Sequence, residues 1–192
     1  MWSPDRLVPH KLRKAVRLAA VFAAAGLLAG CFQPVYGERS AFGSNASILP
    51  AMRSVDVATV ATTGLNDRLP RVGGEVRNDL IFALTGGGGG LPATHRLVIR
   101  MTSSQQQIIV DIDSGRPDTQ NYGIDASYQL IDLATGKRVV DGYTFARVSF
   151  NIPGQQQRFA GERGLRDAED RAAKVIAENI RNRLASYFTA GT

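Results

Sequence analysis

The sequence predicts an α+β fold in which two helices pack on one face of a four-stranded mixed sheet. Apolar residues recur at intervals of three and four over residues 65–84 and again over residues 165–188, which is the spacing of one helix face. Over residues 53–60 and 97–150 they alternate with polar residues, as in strands. The order is therefore strand, helix, three strands, helix. A right-handed crossover then allows the first strand to lie parallel to a later one, with both helices on one face.

The first strand and helix are bounded by residues that break regular structure. The strand over residues 53–60 is predicted to end before Gly64. Pro70 lies near the first turn of the helix, where the missing N–H is tolerated, and Gly86 ends the helix. Five consecutive glycines, residues 86–90, come next. Phosphate-binding glycines lie between a strand and the start of a helix, whereas these follow a helix, so we expect a flexible connection.

Three antiparallel strands are predicted after the glycines. The alternation of the first begins at Leu97 and resumes at Ile108, so residues 103–107 are either its middle or a connection between two strands. Gly136 lies where a tight hairpin loop needs a left-handed residue. Gly142, in the last strand, is predicted to form a β-bulge.

A long second helix is predicted over residues 165–188. Gly161 and Gly164 leave its beginning open. Asp170 and Lys174 are spaced for a favourable i, i+4 pair. The predicted apolar face comprises Leu165, Ala168, Ala172, Val175, Ile176, Ile180, Leu184 and Tyr187 or Phe188.

The amino-terminal region is typical of an export signal. A segment with five basic residues precedes an uncharged apolar run of 11 residues, 18–28, which ends at Leu28-Ala29-Gly30-Cys31. A membrane-spanning helix needs about 20 residues. We therefore predict that residues 1–30 are a cleaved signal peptide.

The ending Leu-Ala-Gly-Cys resembles the lipobox of bacterial lipoproteins, in which the thiol forms a thioether with diacylglycerol and the new amino terminus is acylated. This resemblance implies lipid attachment at Cys31, and Phe32 in place of Asp implies sorting to the periplasmic side of the outer membrane. The alternative is an ordinary signal peptide that leaves Cys31 as a free thiol, a liability in an oxidising compartment. Residues 31–50 are predicted to be a flexible tether and residues 51–192 a single domain.

Charge gives no support for a nucleic-acid partner. The formal net charge is +6, but residues 1–30 hold five of the 23 basic and one of the 17 acidic side chains. The mature chain would therefore have a net charge of +2. It would contain no disulfide, because Cys31 is the only cysteine.

No catalytic or metal-binding pattern is present in the sequence. The mature chain has one histidine, His95, and no nucleophile motif lies near it, so we predict a structural or surface histidine. Residues 111–118 have the aspartates of a calcium loop, but Gly115 and Arg116 occupy the fifth and sixth positions and Tyr122 the twelfth. No zinc-ligand spacing is found. We predict a protein that is not an enzyme and holds no metal or dissociable cofactor.

Four basic residues are candidates for contact with an anionic glycolipid. Arg96 and Arg100 share one face of a predicted strand, and Lys137 and Arg138 lie at the hairpin tip. Arginine side chains match the geometry of phosphate groups. Alternatively, charges on edge strands only prevent aggregation.

The order of these motifs resembles the LptE family of lipopolysaccharide-assembly lipoproteins, in its alphaproteobacterial form. The lipobox is followed by Pro34-Val35-Tyr36-Gly37, the first helix contains Val76-Arg77-Asn78-Asp79-Leu80-Ile81, and a three-strand block precedes a helical tail over residues 167–188. The resemblance implies a two-helix, four-strand domain that plugs the barrel of the outer-membrane translocon LptD. It also implies that the domain supports barrel assembly and helps lipopolysaccharide reach the outer leaflet, without bond-making chemistry.

Two other functions remain open on the sequence alone. One is an auxiliary lipoprotein of a periplasmic lipid-transport or efflux system, with an apolar ligand in a pocket. The other is a lipoprotein hydrolase, which would require a catalytic role for His95.

Overall fold

The computed structural model describes residues 48–64, 68–108, 119–151 and 158–190, all within the second of the chain's two units, Ile48–Thr192. The described residues form one mixed sheet with helices packed on it, which confirms the predicted α+β class. The elements in chain order are α1 (Leu49–Arg53), β1 (Val55–Val57), β2 (Ala61–Thr62), α2 (Leu69–Thr85), β3 (His95–Ile108), β4 (Thr119–Asp132), β5 (Arg138–Asn151) and α3 (Arg158–Ala190).

The segment predicted as the first strand forms two short strands, β1 and β2, and each of them pairs with β3. Val55 pairs with His95 at the start of β1, and Ala61 pairs with Arg100 in β2, both in parallel. Between them, the N–H of Ala58 donates to the β3 backbone without forming a ladder. Among the described residues the sheet therefore has five strands rather than four, because the predicted first strand is divided in two. The prediction that the first strand lies parallel to a later one is confirmed.

Strands β3, β4 and β5 form the antiparallel part of the sheet. Strand β3 is continuous through residues 103–107, because it pairs with β4 along its whole length, from His95 opposite Asp132 to Ile108 opposite Thr119. The turn predicted near Gly115, together with the calcium-like aspartates, lies outside the described residues.

Both long helices cover the same face of the sheet, as predicted. Along β3, Leu97, Ile99 and Met101 are buried while Arg96 and Arg100 on the opposite face are exposed. Helix α2 begins at Leu69, with Pro70 in its first turn, and α3 runs through both glycines that left its start open. The helix residues buried against the sheet and each other include Leu69, Val72, Val76, Leu80 and Leu84 of α2, and Ala168, Ala172, Ile176, Ile180 and Leu184 of α3.

The assignment of Val175 to the buried face of α3 is wrong, because its side chain is 40% exposed. Val175 lies one helical turn from Arg171 and one from Asn179. These two reach the carbonyl of Ser149 and the hydroxyl of Thr144 on β5. This stripe of α3 follows the outer edge of the sheet, beyond which the described residues provide no further strand.

The hairpin between β4 and β5 has the predicted geometry. Gly136 has a φ of 67°, the left-handed conformation that glycine adopts without strain. The Asp132 carboxylate accepts hydrogen bonds from the N–H groups of Ala134 at 2.7 Å and Thr135 at 3.3 Å. These bonds lower the pKa of Asp132.

The bulge predicted at Gly142 is wrong. The register shift lies between Leu130, which pairs with Val140, and Ile131, which pairs with Arg138. Gly142 instead pairs with Tyr128, and a Cβ atom there would lie 2.4 Å from the tyrosine hydroxyl oxygen. Glycine is therefore required at this position by the aromatic ring that lies over it.

Candidate functional site

The four predicted glycolipid-contact residues gather at one end of the sheet. Arg96 and Arg100 lie on the face of β3 that none of the described helices covers, here called the open face. Arg96 pairs in register with Ile131, which in turn pairs with Arg138, so the two arginines lie two strands apart in one row. Lys137 precedes Arg138 in the hairpin. We call Arg96, Arg100, Lys137 and Arg138 the basic end.

Most of the charge at the basic end is uncompensated. The Arg96 Nε donates to Asp56 Oδ2 at 2.9 Å, which ties β3 to β1. Within the described part of the chain, no carboxylate pairs with Arg100, Lys137 or Arg138. Three exposed cations therefore remain available for an anionic group at this end.

A second basic feature, not predicted from the sequence, is a cleft of about 400 Å³ between the first turns of α2 and the first turns of α3. Four arginines and two glutamates line it, so its charge is positive. Phe159, with 86% of its surface exposed, lies beside these charges. We call this site the basic cleft; its lining residues are Arg68, Arg71, Phe159, Glu162, Arg163, Arg166 and Glu169.

Ion pairs between the two helices form the inner wall of the basic cleft. Glu169 is only 1% exposed, and one of its oxygens accepts from Arg71. The other guanidinium nitrogen of Arg71 donates to Asp170 Oδ1 at 2.9 Å. Burial lowers the pKa of Arg71, but the bonds to Asp170 and Glu169 outweigh it and the net pKa is raised. Arg71 therefore stays charged and joins α2 to α3. Asp170, predicted to pair with Lys174, is bound by Arg71 instead.

Tyr122 lies near the buried carboxylate. Its side chain is fully buried on β4. Burial, with the negative charge of Glu169 nearby, raises the pKa of Tyr122 to about 12. The tyrosine is therefore neutral at physiological pH, and it forms part of the core.

A third feature occupies the open face at β5. The hydroxyl of Tyr143 donates to Asp125, and Arg147 binds both oxygens of the same carboxylate at 2.9 Å. The Arg147 guanidinium carbon lies 5.5 Å from the centroid of the Phe145 ring, within the range of a cation–π contact. Tyr143 and Phe145 nevertheless remain 63% and 58% exposed.

His95 lies at the first position of β3. Its Nδ1 is 2.8 Å from the hydroxyl of Thr94, and its ring packs edge-on against Phe188 of α3 at 5.4 Å. These contacts explain the histidine as a link between sheet and helix. In the ranges that the structure covers, no three potential ligands cluster as a metal site.

The glycine run closes α2 and contacts the start of the domain. Gly86 adopts the left-handed conformation at the helix end, with a φ of 69°. Arg53 donates to the carbonyl of Gly89 at 2.8 Å. The run follows α2 and leads into β3, so it is a connection and not a phosphate loop.

Sequence reasoning named the basic end but not the basic cleft. A signal existed, because Arg68 and Arg71 are three residues apart, as are Arg163 and Arg166, which places each pair on one side of its helix. The sequence could not show that the two pairs meet. They lie more than 90 residues apart, as the separation of 94 between Arg68 and its partner Glu162 illustrates.

These features define a small α+β domain, with helices on one sheet face and two basic clusters on its surface. A family model for LptE, described as lipopolysaccharide-assembly, matches residues 52–184. The chain belongs to the LptE family. The resemblance recognised from its motifs is thereby confirmed.

Several solved structures are similar to this chain. A candidate lipoprotein from Caulobacter crescentus matches with a TM-score of 0.58 and 22% identity, over 77% of this chain and 98% of its own. A minor lipoprotein from Acinetobacter baumannii matches with a TM-score of 0.46 and 10% identity, over 70% and 92%. The rare lipoprotein B from Shewanella oneidensis matches with a TM-score of 0.44 and 13% identity, over 68% and 95%. No curated protein matches the chain.

Among the helices that the structure covers, none is both long and apolar enough to span a membrane.

Proposed function

We propose that this chain is an outer-membrane lipoprotein that plugs the barrel of LptD, supports its assembly and assists insertion of lipopolysaccharide into the outer leaflet. The single observation that carries the proposal is the LptE family match, which spans residues 52–184 and so includes all five strands and most of both long helices. The proposed mechanism is scaffolding and gating, without bond-making chemistry.

The open face of the sheet supports a position inside a barrel. The lumen of a large barrel is polar. The open face is also mostly polar, whereas the helix-covered face is apolar. Residues that alternate onto the open face include Arg96, Arg100, Thr102 and Ser104 of β3, Asn121, Asp125, Ser127 and Gln129 of β4, and Asp141, Tyr143, Phe145, Arg147 and Ser149 of β5.

Attachment to the membrane is proposed through Cys31, which lies outside the described residues. It would carry S-diacylglycerol and an N-acyl chain such as palmitate. Two or more acyl chains give durable anchoring, since each buried CH₂ contributes about 0.8 kcal/mol. Mass spectrometry of the mature protein should find both modifications and no trace of residues 1–30. A bare thiol with the signal still attached would contradict this part of the proposal.

Extraction of the tagged chain from outer membranes in mild detergent tests the proposed partner. The LptD barrel should co-purify, and it should migrate differently on a gel before and after heating. Recovery of an inner-membrane transporter instead would favour an auxiliary lipoprotein of a lipid-transport or efflux system. A hydrolytic activity abolished by His95→Ala would overturn the non-enzymatic proposal.

A further inference from the structure

Strand β5 forms one edge of the sheet, and within the described residues no strand pairs with its outer side along its 14 residues. Such an edge presents a row of unpaired N–H and C=O groups. We propose that β5 pairs antiparallel with β5 of a second copy of this chain, about a two-fold axis at Thr144. The two sheets then become one continuous sheet. The dimer is a state of the chain outside the LptD barrel, so this inference goes beyond the proposed function and does not rest on it.

The hairpin determines which residues of β5 direct their backbone outward. The N–H of Asp132 donates to the carbonyl of Lys137 at 2.9 Å, and after the extra residue Val139 the ladder continues with Leu130 opposite Val140. Residues of an antiparallel strand alternate between bonding to the partner and pointing both groups away. Even-numbered residues from Val140 onward therefore bond to β4, and odd-numbered residues face outward.

A hydrogen bond from helix α3 also indicates that odd-numbered residues of β5 direct their backbone groups outward. The carbonyl of Ser149, an odd-numbered residue, accepts a bond from Arg171 of α3 at 3.3 Å. The same stripe of α3 includes Val175, whose side chain is 40% exposed, and Asn179, which donates to Thr144. A second copy of the sheet beyond this edge would cover Val175. The pairing thus also explains an apolar residue that the domain alone leaves exposed.

Under this two-fold axis, the side chains of β5 in one copy complement those of β5 in the other copy. Pairing about Thr144 places Asp141 opposite Arg147 of the partner and Tyr143 opposite Phe145 of the partner, each pair occurring twice. All four are odd-numbered, so their outward N–H and C=O groups exchange about eight hydrogen bonds. Opposite charges and aromatic pairs stabilise directly opposed positions in a sheet. On the helix side the axis matches Val140 with Val148, and Gly142 with Ala146.

Contacts already present hold this surface in one conformation. Asp125 of β4 binds both the Tyr143 hydroxyl and the Arg147 guanidinium, and Arg147 lies over Phe145. The rings of Tyr143 and Phe145 lie 6.4 Å apart. Side chains fixed in advance lose less entropy when they are buried at an interface. Asp141 has no ion-pair partner within the described residues, so its carboxylate is available to the partner copy.

A second copy is favoured over a strand of another protein because the complementarity is internal to β5. Charges on an edge strand usually block pairing. Here one acidic and one basic residue lie at equal distances on either side of Thr144, so the same charges attract when the strand meets itself.

Cysteine cross-linking of the full-length protein, expressed alone and purified in mild detergent, tests the register. In the double variant Asp141→Cys/Arg147→Cys, opposed Cα atoms would lie about 5.5 Å apart, within the range for a disulfide. A disulfide-linked dimer is expected under oxidising conditions. The single variants place like cysteines about 20 Å apart across the axis and should stay uncrosslinked, as should the wild type with only Cys31. A dimer in a single variant, or none in the double variant, would overturn the proposed register.

Charged substitutions at Tyr143 and Phe145, which leave Asp141 and Arg147 unchanged, provide a second test. Tyr143→Lys/Phe145→Lys places like charges opposite each other and should weaken dimerisation at least about tenfold in analytical ultracentrifugation. Tyr143→Lys/Phe145→Glu places opposite charges there and should restore it. Equal behaviour of the two variants would overturn the pairing. So would a monomeric wild type, or a cross-link from position 147 to a different protein.

Discussion

The residue type at position 142 is determined by an aromatic ring on the neighbouring strand. A Cβ atom there would lie 2.4 Å from the Tyr128 hydroxyl oxygen and 2.5 Å from its ring carbon Cζ. Because Tyr128 is only 5% exposed, its ring has little room to move. We expect Gly142→Ala to destabilise the protein by about 1–3 kcal/mol in urea unfolding.

Gly74 provides the matched control for Gly142→Ala. A Cβ atom at this position in α2 would meet nothing within 4 Å. Gly74→Ala should therefore stabilise the protein by up to about 1 kcal/mol, since alanine favours the helix. Equal effects of the two substitutions would contradict the proposed role of the Tyr128 ring.

Asp125 should make stability depend on pH. Burial raises its pKa, but hydrogen bonds from Tyr143 and Arg147 outweigh that effect and lower the pKa below the ordinary value. A lowered pKa in the folded state stabilises the fold above the unfolded-state pKa of about 4, and this stability is lost as the pH falls through the folded-state pKa.

We therefore expect Asp125→Asn to reduce the free energy of unfolding by about 1 kcal/mol at pH 7, with the difference shrinking towards pH 3. Denaturation in urea at several pH values measures it. Asp79→Asn, on α2 and away from β4 and β5, is the control and should change stability little. A difference that stayed constant down to pH 3 would contradict the role of the Asp125 carboxylate.

At the scale of elements, the contact between α2 and α3 depends on Arg71 and the buried Glu169. Removing one partner of a buried ion pair leaves the other charge uncompensated. We expect Arg71→Ala to cost about 3 kcal/mol in urea unfolding. The apolar replacement Arg71→Met/Glu169→Leu should recover most of that loss.

Arg166→Ala is the control for the Arg71 prediction. Arg166 also lines the basic cleft, but it is exposed and should change stability by less than about 0.5 kcal/mol. If Arg71→Ala cost no more than this control, the ion pair would not be what joins the helices.

Local patterns predicted the elements well, and non-local contacts explain the errors. The hairpin at Gly136 and the helix end at Gly86 follow from the backbone preferences of single residues, so both could be predicted from the sequence. Gly142 suggested a bulge, but its glycine is required by Tyr128 on another strand. Val175 has the spacing of a core residue, and helical periodicity cannot tell that this side of α3 follows the sheet edge.

The candidate sites divide in the same way. Arg96 and Arg100 were predictable because strand periodicity alone places them on one face. The basic cleft was not, because residues from α2 and α3 form it only after the helices pack. The separation of 94 residues between Arg68 and Glu162 shows how little of this contact is local.

At the scale of the whole molecule, the basic end should give binding to anionic glycolipid a strong salt dependence. Charges at a surface are screened over about 10 Å at 0.1 M salt. We expect the fourfold variant Arg96→Gln/Arg100→Gln/Lys137→Gln/Arg138→Gln to bind lipopolysaccharide micelles at least about tenfold more weakly at low salt, in a sedimentation assay.

A control for this experiment neutralises exposed cations elsewhere. Arg171→Gln/Lys174→Gln/Arg183→Gln removes positive charge from exposed residues of α3 outside the basic cleft and leaves the basic end unchanged. It should weaken binding less than the fourfold variant. An equal loss in both variants would show that overall charge, and not the basic end, determines the affinity.

The parallel pairing of β1 and β2 with β3 has a consequence for how the chain acquires its structure. Both short strands pair with a strand about 40 residues further along the chain; Asp56 of β1 and Arg96 of β3, for example, are 40 residues apart in sequence. The β3, β4 and β5 meander closes through nearer neighbours, and low contact order favours early formation. Pulse-labelling hydrogen exchange should find the Ala58 and Thr63 amides among the last to be protected. Until β3 has formed, β1 and β2 have no strand to pair with. In a chain that emerges amino terminus first, these two segments therefore remain accessible to chaperones until α2 and β3 have followed.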